Sequence, residues 1–305
     1  MNSSRDGADP GRITRVGVVG AGQMGAGVAE VCARAHLDVL VWESTRELTT
    51  SGRARILDSL DRGVSSGKIT AREREQAALR LRFTTDLGDF VDRQLVIEAI
   101  VEDTDAKTAV FRELDAVVTD PDAVLASNTS SIPIMKLGTC TARPERVIGM
   151  HFFNPVPVLP LVELVSTLET GAAARDRAQA FAEQVLGKQV VHSADRAGAV
   201  VNALLVPYLL SAIRMAESGF ATPEDIDKAM VLGCAHPMGP LTLADLVGLD
   251  TIKAIADSMY TEFAEPLYSP PPLLLRMVEA GRLGKKSGQG FYRYDAPRAM
   301  ARAAR

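Results

Sequence analysis

Through the first half of the chain, short runs of almost wholly apolar residues alternate with longer stretches in which apolar and charged residues recur at helical spacing. The apolar runs are RVGVVG (15–20), DVLVWE (38–43), QLVIEAI (94–100), AVLASN (123–128) and VIGMHFF (147–153). They have strand length, and because they are apolar continuously and not alternately, they predict strands covered on both faces. Between them, 22–35, 46–62, 70–80 and 104–118 carry helical patterns; in AVFRELDAVV the apolar positions return to one helix face. Such alternation predicts an α/β fold built on a doubly wound parallel sheet.

The pattern changes after about residue 193, beyond which no convincing strand is read before the GFYRY end. GAVVNALLVPYLLSAIRMAESG (198–219) is apolar nearly all round, which predicts a buried helix bent at Pro207. TPEDIDKAMVLG (222–233) has Thr222 as N-cap, Pro223 in the first turn and Gly233 at its end. DLVGLDTIKAIADSMYTEF (245–263) and PPLLLRMVEAGRLG (271–284) predict two more helices. The polar VHSADRAG stretch marks the join, and no internal repeat is seen. The expected organisation is a disordered tail over 1–12, a sheet domain over 13–193, an all-helical domain over 194–295 and a tail over 296–305.

Composition narrows the class without deciding it. With 305 residues, 47% hydrophobic and 24% charged, the chain reads as globular, and a net charge of −4 gives no electrostatic footprint for nucleic acid or an anionic membrane. No apolar run approaches the length of a transmembrane helix and no apolar segment follows a basic start, so a cytoplasmic protein is expected. Cys32, Cys140 and Cys234 lie far apart without metal-ligand spacing; they are expected to be buried free thiols, and no metal site is expected.

RVGVVGAGQMGAGVAEVCARAHLDVLVWE carries Gly20-x-Gly22-x-x-Gly25 directly after the first strand and at the opening of a helix. A second strand follows and ends in an acid, Glu43, eighteen residues past Gly25. In that context Gly20 makes the tight turn, Gly22 lets the backbone approach a pyrophosphate, and Gly25 lets helix pack on strand. The helix N-terminus would face the phosphates, with Gln23 and Met24 beside them, although a methionine such as Met24 is more often a packing residue than a cofactor contact. Glu43 would accept hydrogen bonds from the ribose hydroxyls and repel a 2′-phosphate, favouring NAD over NADP. Arg46 tempers that preference.

His151 and Glu163 stand in GMHFFNPVPVLPLVELV (149–165), an otherwise almost wholly apolar run. Alone, a histidine on such a run is more often a core residue than a base. VIEAIVEDTDAK, ASNTSS and MHFFNP, however, each fall at or just beyond the C-terminal end of a predicted strand, where an open parallel sheet gathers its ligand groups. With GAVVNALLVPY and HPMGPLTLADLVGLD added, residues 13–294 resemble the short-chain 3-hydroxyacyl-CoA dehydrogenases, and among them the bacterial 3-hydroxybutyryl-CoA dehydrogenases. That resemblance implies a Rossmann-type domain carrying NAD, a helical dimerising domain, and an acyl-CoA substrate. It places the catalytic pair at His151 and Glu163, substrate-side polar groups at Ser130 and Asn202, and cofactor contacts at Glu102, Lys107, Asn154 and Lys286. Ser59 and Lys68 fall where the family's helical arm meets coenzyme A, although an exposed loop lysine fits Lys68 equally.

The chemistry fits those residue types. Oxidising a secondary alcohol needs a proton acceptor while hydride leaves, and histidine titrates near neutrality. A carboxylate on its other ring nitrogen would fix the tautomer and stabilise the imidazolium. His36, His192 and His236 lack comparable carboxylates and read as structural or exposed; Pro237, Gly239 and Pro240 read as a turn between helices. The chain departs from the family at Ala199 and Ala203, where an aromatic and a basic residue are common, and at Pro160, where lysine is common. The expected activity is NAD-dependent interconversion of (3S)-3-hydroxyacyl-CoA, short chains such as 3-hydroxybutyryl-CoA above all, and 3-ketoacyl-CoA in fatty-acid or butanoate metabolism. Three alternatives stay open: the same chemistry on a substituted substrate such as 3-hydroxyadipyl-CoA, a non-catalytic crystallin-like NAD-binding relative, and a dehydrogenase of free hydroxy acids.

Overall fold

The structure, a computed structural model, describes residues 12–294, so the expected tails fall outside the described residues, Arg12 apart. The chain forms two compact units that divide between Arg196 and Ala197.

The first unit is an eight-stranded sheet in the order β3-β2-β1-β4-β5-β6-β7-β8. Its strands are β1 (Arg15–Val19), β2 (Asp38–Trp42), β3 (Leu81–Thr84), β4 (Leu95–Glu98), β5 (Val124–Ser127), β6 (Val147–Phe152), β7 (Leu161–Ser166) and β8 (Gln189–Ala194). Helices α1 (Gln23–Arg34), α2 (Arg46–Ser65), α3 (Ala71–Leu79), α4 (Thr104–Val117), α5 (Ile134–Gly138) and α6 (Ala172–Ala180) connect them. The five apolar runs are β1, β2, β4, β5 and β6, and every residue of β4, β5 and β6 is buried. Strand order reverses between β1 and β4, which opens a crevice beyond their C-terminal ends.

Three strands have no counterpart among the expected ones. β3 is short and none of its residues is buried; β8 mixes polar and apolar residues and is mostly exposed. Both are sheet edges, where one neighbour and one covered face suffice, so continuous apolarity is not required. The third, β7, runs antiparallel to β6 in a sheet that is otherwise parallel. This reversal decides the geometry of the site.

The second unit has its own core, built by α7 (Val201–Glu217), α8 (Pro223–Cys234), α9 (Pro240–Val247), α10 (Leu249–Phe263) and α11 (Pro272–Glu279). Several expectations need correction here. α7 runs through Pro207, but it is not buried all round: Leu204 is 74% exposed. α8 continues past Gly233 and ends at Ala235, which takes the left-handed conformation itself. The stretch read as one helix over 245–263 breaks at Gly248, whose φ of 103° no other side chain adopts easily. GFYRY (290–294) forms no strand; only its Arg293 enters an isolated bridge, with Gln289. Of the thiols, Cys32 is buried, but Cys140 is half-buried and Cys234 exposed.

Candidate active site

At the β1–α1 turn the three glycines have three different reasons. Gly20 has φ +96°, and a Cβ there would stand 2.7 Å from the Ala99 carbonyl oxygen. A Cβ on Gly25 would lie 1.9 Å from the Gly20 carbonyl oxygen, so helix-to-strand packing excludes a side chain. At Gly22 a Cβ would meet nothing within 4 Å. Protein packing does not explain that glycine, whereas the approach of a ligand to the backbone does. α1 begins there with no side-chain cap and no acid in its first turn, so its orphan N–H groups remain available to an anion. Gln23 is exposed beside them, and Met24 packs against the core.

Glu43 stands just past β2 and has a structural role besides any contact with a ligand. Its Oε1 accepts the Ala21 N–H at 2.5 Å, bracing the glycine turn. Arg55 on α2 donates to the Ala21 carbonyl from the other side. Arg46, by contrast, is exposed at the start of α2. These groups fit a dinucleotide: an uncapped helix N-terminus, an open glycine and a carboxylate at the end of the second strand.

His151 and Glu163 are directly paired across the β6–β7 ladder. Opposed residues on neighbouring strands project from the same face, so the register itself brings imidazole and carboxylate together. Nδ1 of His151 lies 2.8 Å from Oε2 of Glu163. The carboxylate is fully buried and the histidine 8% exposed. An ionised carboxylate only accepts, so a neutral imidazole in this contact carries its proton on Nδ1 and leaves the Nε2 lone pair to a substrate. The Phe153 ring lies tilted against the imidazole, with centroids 4.6 Å apart and planes at 60°.

The loop after β5 is organised by a carboxylate, and that carboxylate by a buried ion pair. Glu98, at the end of β4, is 0% exposed and accepts Lys107 Nζ at 2.5 Å, the Ser127 hydroxyl at 2.6 Å and the Ile100 N–H at 2.7 Å. Lys107 also lies 3.3 Å from Glu102. Glu102 gathers the Thr129 hydroxyl, the Ser131 hydroxyl at 2.7 Å, and the N–H groups of Ser130 and Ser131 at 3.2 and 3.1 Å. Burial acts to raise the pKa of Glu102, but the Lys107 charge and the hydrogen bonds from Thr129 and Ser131 outweigh it and hold the carboxyl below its ordinary range. Asn128 accepts the Phe152 N–H at 2.8 Å, tying this loop to the strand end that carries His151. Lys107, expected as a direct cofactor contact, is 1% exposed and committed to Glu98 and Glu102. Its position fits holding Glu102 in place. Glu98 and Asn128 are site residues that sequence reasoning missed; a glutamate inside an apolar strand was the available signal for Glu98.

Ser59, Lys68 and Asn154 come together around one cavity of about 440 Å³, with Arg34, Arg55 and Arg62 supplying further positive charge. Asn202 lies in the second unit, buried in the first turn of α7 after Gly198 and Ala199, both with positive φ. Lys286 in the same unit pairs with Asp250 at 2.6 Å. Among the described residues His151 alone of the histidines forms an ion pair with a carboxylate. His36 is exposed in a turn, His192 meets Gln179 at 3.2 Å and His236 meets Tyr208 at 3.1 Å. Gly239 caps α9, where a Cβ would strike Asp227, in keeping with a turn role for that segment. No helix of the described residues is long and apolar enough to cross a membrane.

Comparison with known proteins follows the same division of the chain. Residues 15–196 match the model of the 3-hydroxyacyl-CoA dehydrogenase NAD binding domain, and residues 198–294 that of the C-terminal domain. A 3-hydroxybutyryl-CoA dehydrogenase of Mycobacterium tuberculosis is 69% identical over 282 residues, covering 92% of this chain and 99% of the relative. The crystal structure of M. tuberculosis FadB2 superposes with a TM-score of 0.92 at 69% identity, over 92% of this chain and 99% of that one. That of (S)-3-hydroxybutyryl-CoA dehydrogenase PaaH1 from Ralstonia eutropha gives 0.88 at 42% identity, over 93% and 100%.

Proposed function

The chain belongs to the 3-hydroxyacyl-CoA dehydrogenase family, an NAD-using group of oxidoreductases, and on that premise we propose that it interconverts (3S)-3-hydroxybutyryl-CoA and acetoacetyl-CoA through His151. The observation that supports this reading is the His151–Glu163 pair, brought together by strand register on the sheet whose first strand leads into the glycine turn. Bound NAD supplies the hydride acceptor. Nε2 of His151 takes the hydroxyl proton during oxidation and returns it during reduction, while Glu163 holds the ring and offsets the charge of the imidazolium. Ser130 and Asn202 donate to the substrate's oxygens and fix its orientation. Glu102 and Asn154 serve the cofactor side.

The substrate is a coenzyme A thioester on this reading. The cavity around Ser59 and Lys68 carries three arginines, a composition suited to the phosphates of coenzyme A. The (S) configuration is supported by the name of the Ralstonia relative. Exposed Leu204, Phe220 and Leu232 in the helical unit fit burial against a second copy, and we read the enzyme as a homodimer. Steady-state kinetics with acetoacetyl-CoA and longer 3-ketoacyl-CoAs test the substrate assignment. The highest kcat/KM is expected for acetoacetyl-CoA with NADH; a maximum at long chains would overturn the short-chain assignment.

Cofactor choice gives a separate prediction. Glu43→Ala removes the charge that repels a 2′-phosphate, so the NADPH-to-NADH ratio of kcat/KM should rise by roughly tenfold or more. Because Glu43 also braces Ala21, some loss of activity with NADH is expected as well. A wild-type enzyme that already favours NADPH would contradict this role for Glu43.

A further inference from the structure

The loop from β6 to β7 has a shortage of hydrogen-bond donors written into its sequence. In FNPVPVLP (153–160), Pro155, Pro157 and Pro160 have no N–H to offer. The N–H groups of Val158 and Leu159 both turn back to the Pro155 carbonyl, at 2.9 and 3.0 Å, and the Pro160 carbonyl is met by the Gln189 N–H at 2.7 Å. The carbonyls of Val156 and Leu159 are met by a side chain instead. Nζ of Lys188 donates to Val156 at 2.6 Å and to Leu159 at 2.7 Å.

Lys188 is only 8% exposed, and no carboxylate forms an ion pair with it among the described residues. Burial, and secondarily the like charge of Arg34, hold its pKa below that of an ordinary lysine. A buried ammonium without a counter-ion is unfavourable by itself, so its two carbonyl acceptors are what its burial secures. The clamped turn forms part of the wall of the cavity that contains Ser59 and Lys68, where Val156, Pro157 and Val158 stand beside Asn154.

We propose that Lys188 is a positioning residue for the thioester substrate: it clamps the Val156–Leu159 turn and so preforms the cavity wall against which coenzyme A binds. This deepens the proposed function and rests on its reading of that cavity. The His151–Glu163 pair is held by the β6–β7 ladder and not by the loop, so clamp and chemistry are separable.

Lys188→Met tests the clamp by hydrogen exchange and by kinetics on the full-length enzyme. Exchange of the Val158 and Leu159 amides should rise by roughly tenfold. KM for acetoacetyl-CoA should rise by about tenfold while kcat stays within about threefold, the signature of lost binding without lost chemistry. Unchanged exchange overturns the clamp; faster exchange with KM within about twofold overturns its link to substrate. Wild type is assayed in parallel with acetoacetyl-pantetheine, which lacks the nucleotide. Equal KM values for the two thioesters would refute the coenzyme A reading of the cavity, while the exchange result still decides whether Lys188 holds the loop. Should Lys188→Met not fold, Lys188→Gln, whose uncharged amide sits on a shorter side chain that does not reach both carbonyls, should show the same two changes at roughly three- to tenfold, and no change there overturns the clamp.

Discussion

Replacing His151 by alanine is expected to lower kcat by roughly 10²- to 10⁴-fold and to leave the Kd for NADH nearly unchanged. The size follows from what the base does, since without it the alkoxide must form with no positioned proton acceptor. Cofactor affinity should survive because the groups proposed to hold the cofactor, the glycine turn, Glu43 and Glu102, lie on other elements. Glu163→Gln should also lose heavily, by up to about 10⁴-fold, since the amide can donate to Nδ1, leaving the proton on Nε2, and the charge that balances the imidazolium is gone. Stopped-flow oxidation of NADH by acetoacetyl-CoA, with NADH fluorescence as the binding assay, checks both variants. Activity of His151→Ala within about tenfold of wild type would remove His151 from the chemistry.

The second large effect concerns stability. Lys107→Met leaves Glu98 fully buried and without its cation, which should cost about 3–5 kcal/mol of unfolding free energy near neutral pH. Glu98 keeps the Ile100 N–H and the Ser127 hydroxyl, and these soften the loss without cancelling it. The double variant Glu98→Gln/Lys107→Met replaces the ion pair by uncharged groups and should recover much of the loss. Urea titrations of wild type and the two variants measure this. A loss under about 1 kcal/mol in the single variant would mean that the pair is not desolvated as its burial implies. The same single variant frees Glu102 on one side, so weaker NADH binding is expected to accompany it.

How far the fold and site were legible varied with the physical signal. Strands buried on both faces announce themselves by continuous apolarity, and β1, β2, β4, β5 and β6 all carry that signal. The edges β3 and β8 lack it because solvent covers part of them. The antiparallel return of β7 was hidden for another reason: the direction of a strand depends on its connection, and the three-proline loop states only that the chain turns. A one-residue change of register would place Glu163 on the opposite face from His151, so the pair depended on long-range pairing that local pattern does not encode. The glycine turn, whose chemistry is local, was legible residue by residue. Glu98 and Lys188 were not, because their roles lie in partners 9 to 32 residues away.

Which alcohol the enzyme oxidises is the most direct test of the proposed activity. Initial rates of NAD reduction should be measured with (3S)-3-hydroxybutyryl-CoA, its (3R) enantiomer and free 3-hydroxybutyrate. The (3S) thioester alone should be oxidised at an appreciable rate. Turnover of the free acid at a comparable rate, or none of the (3S) thioester, would contradict the assignment.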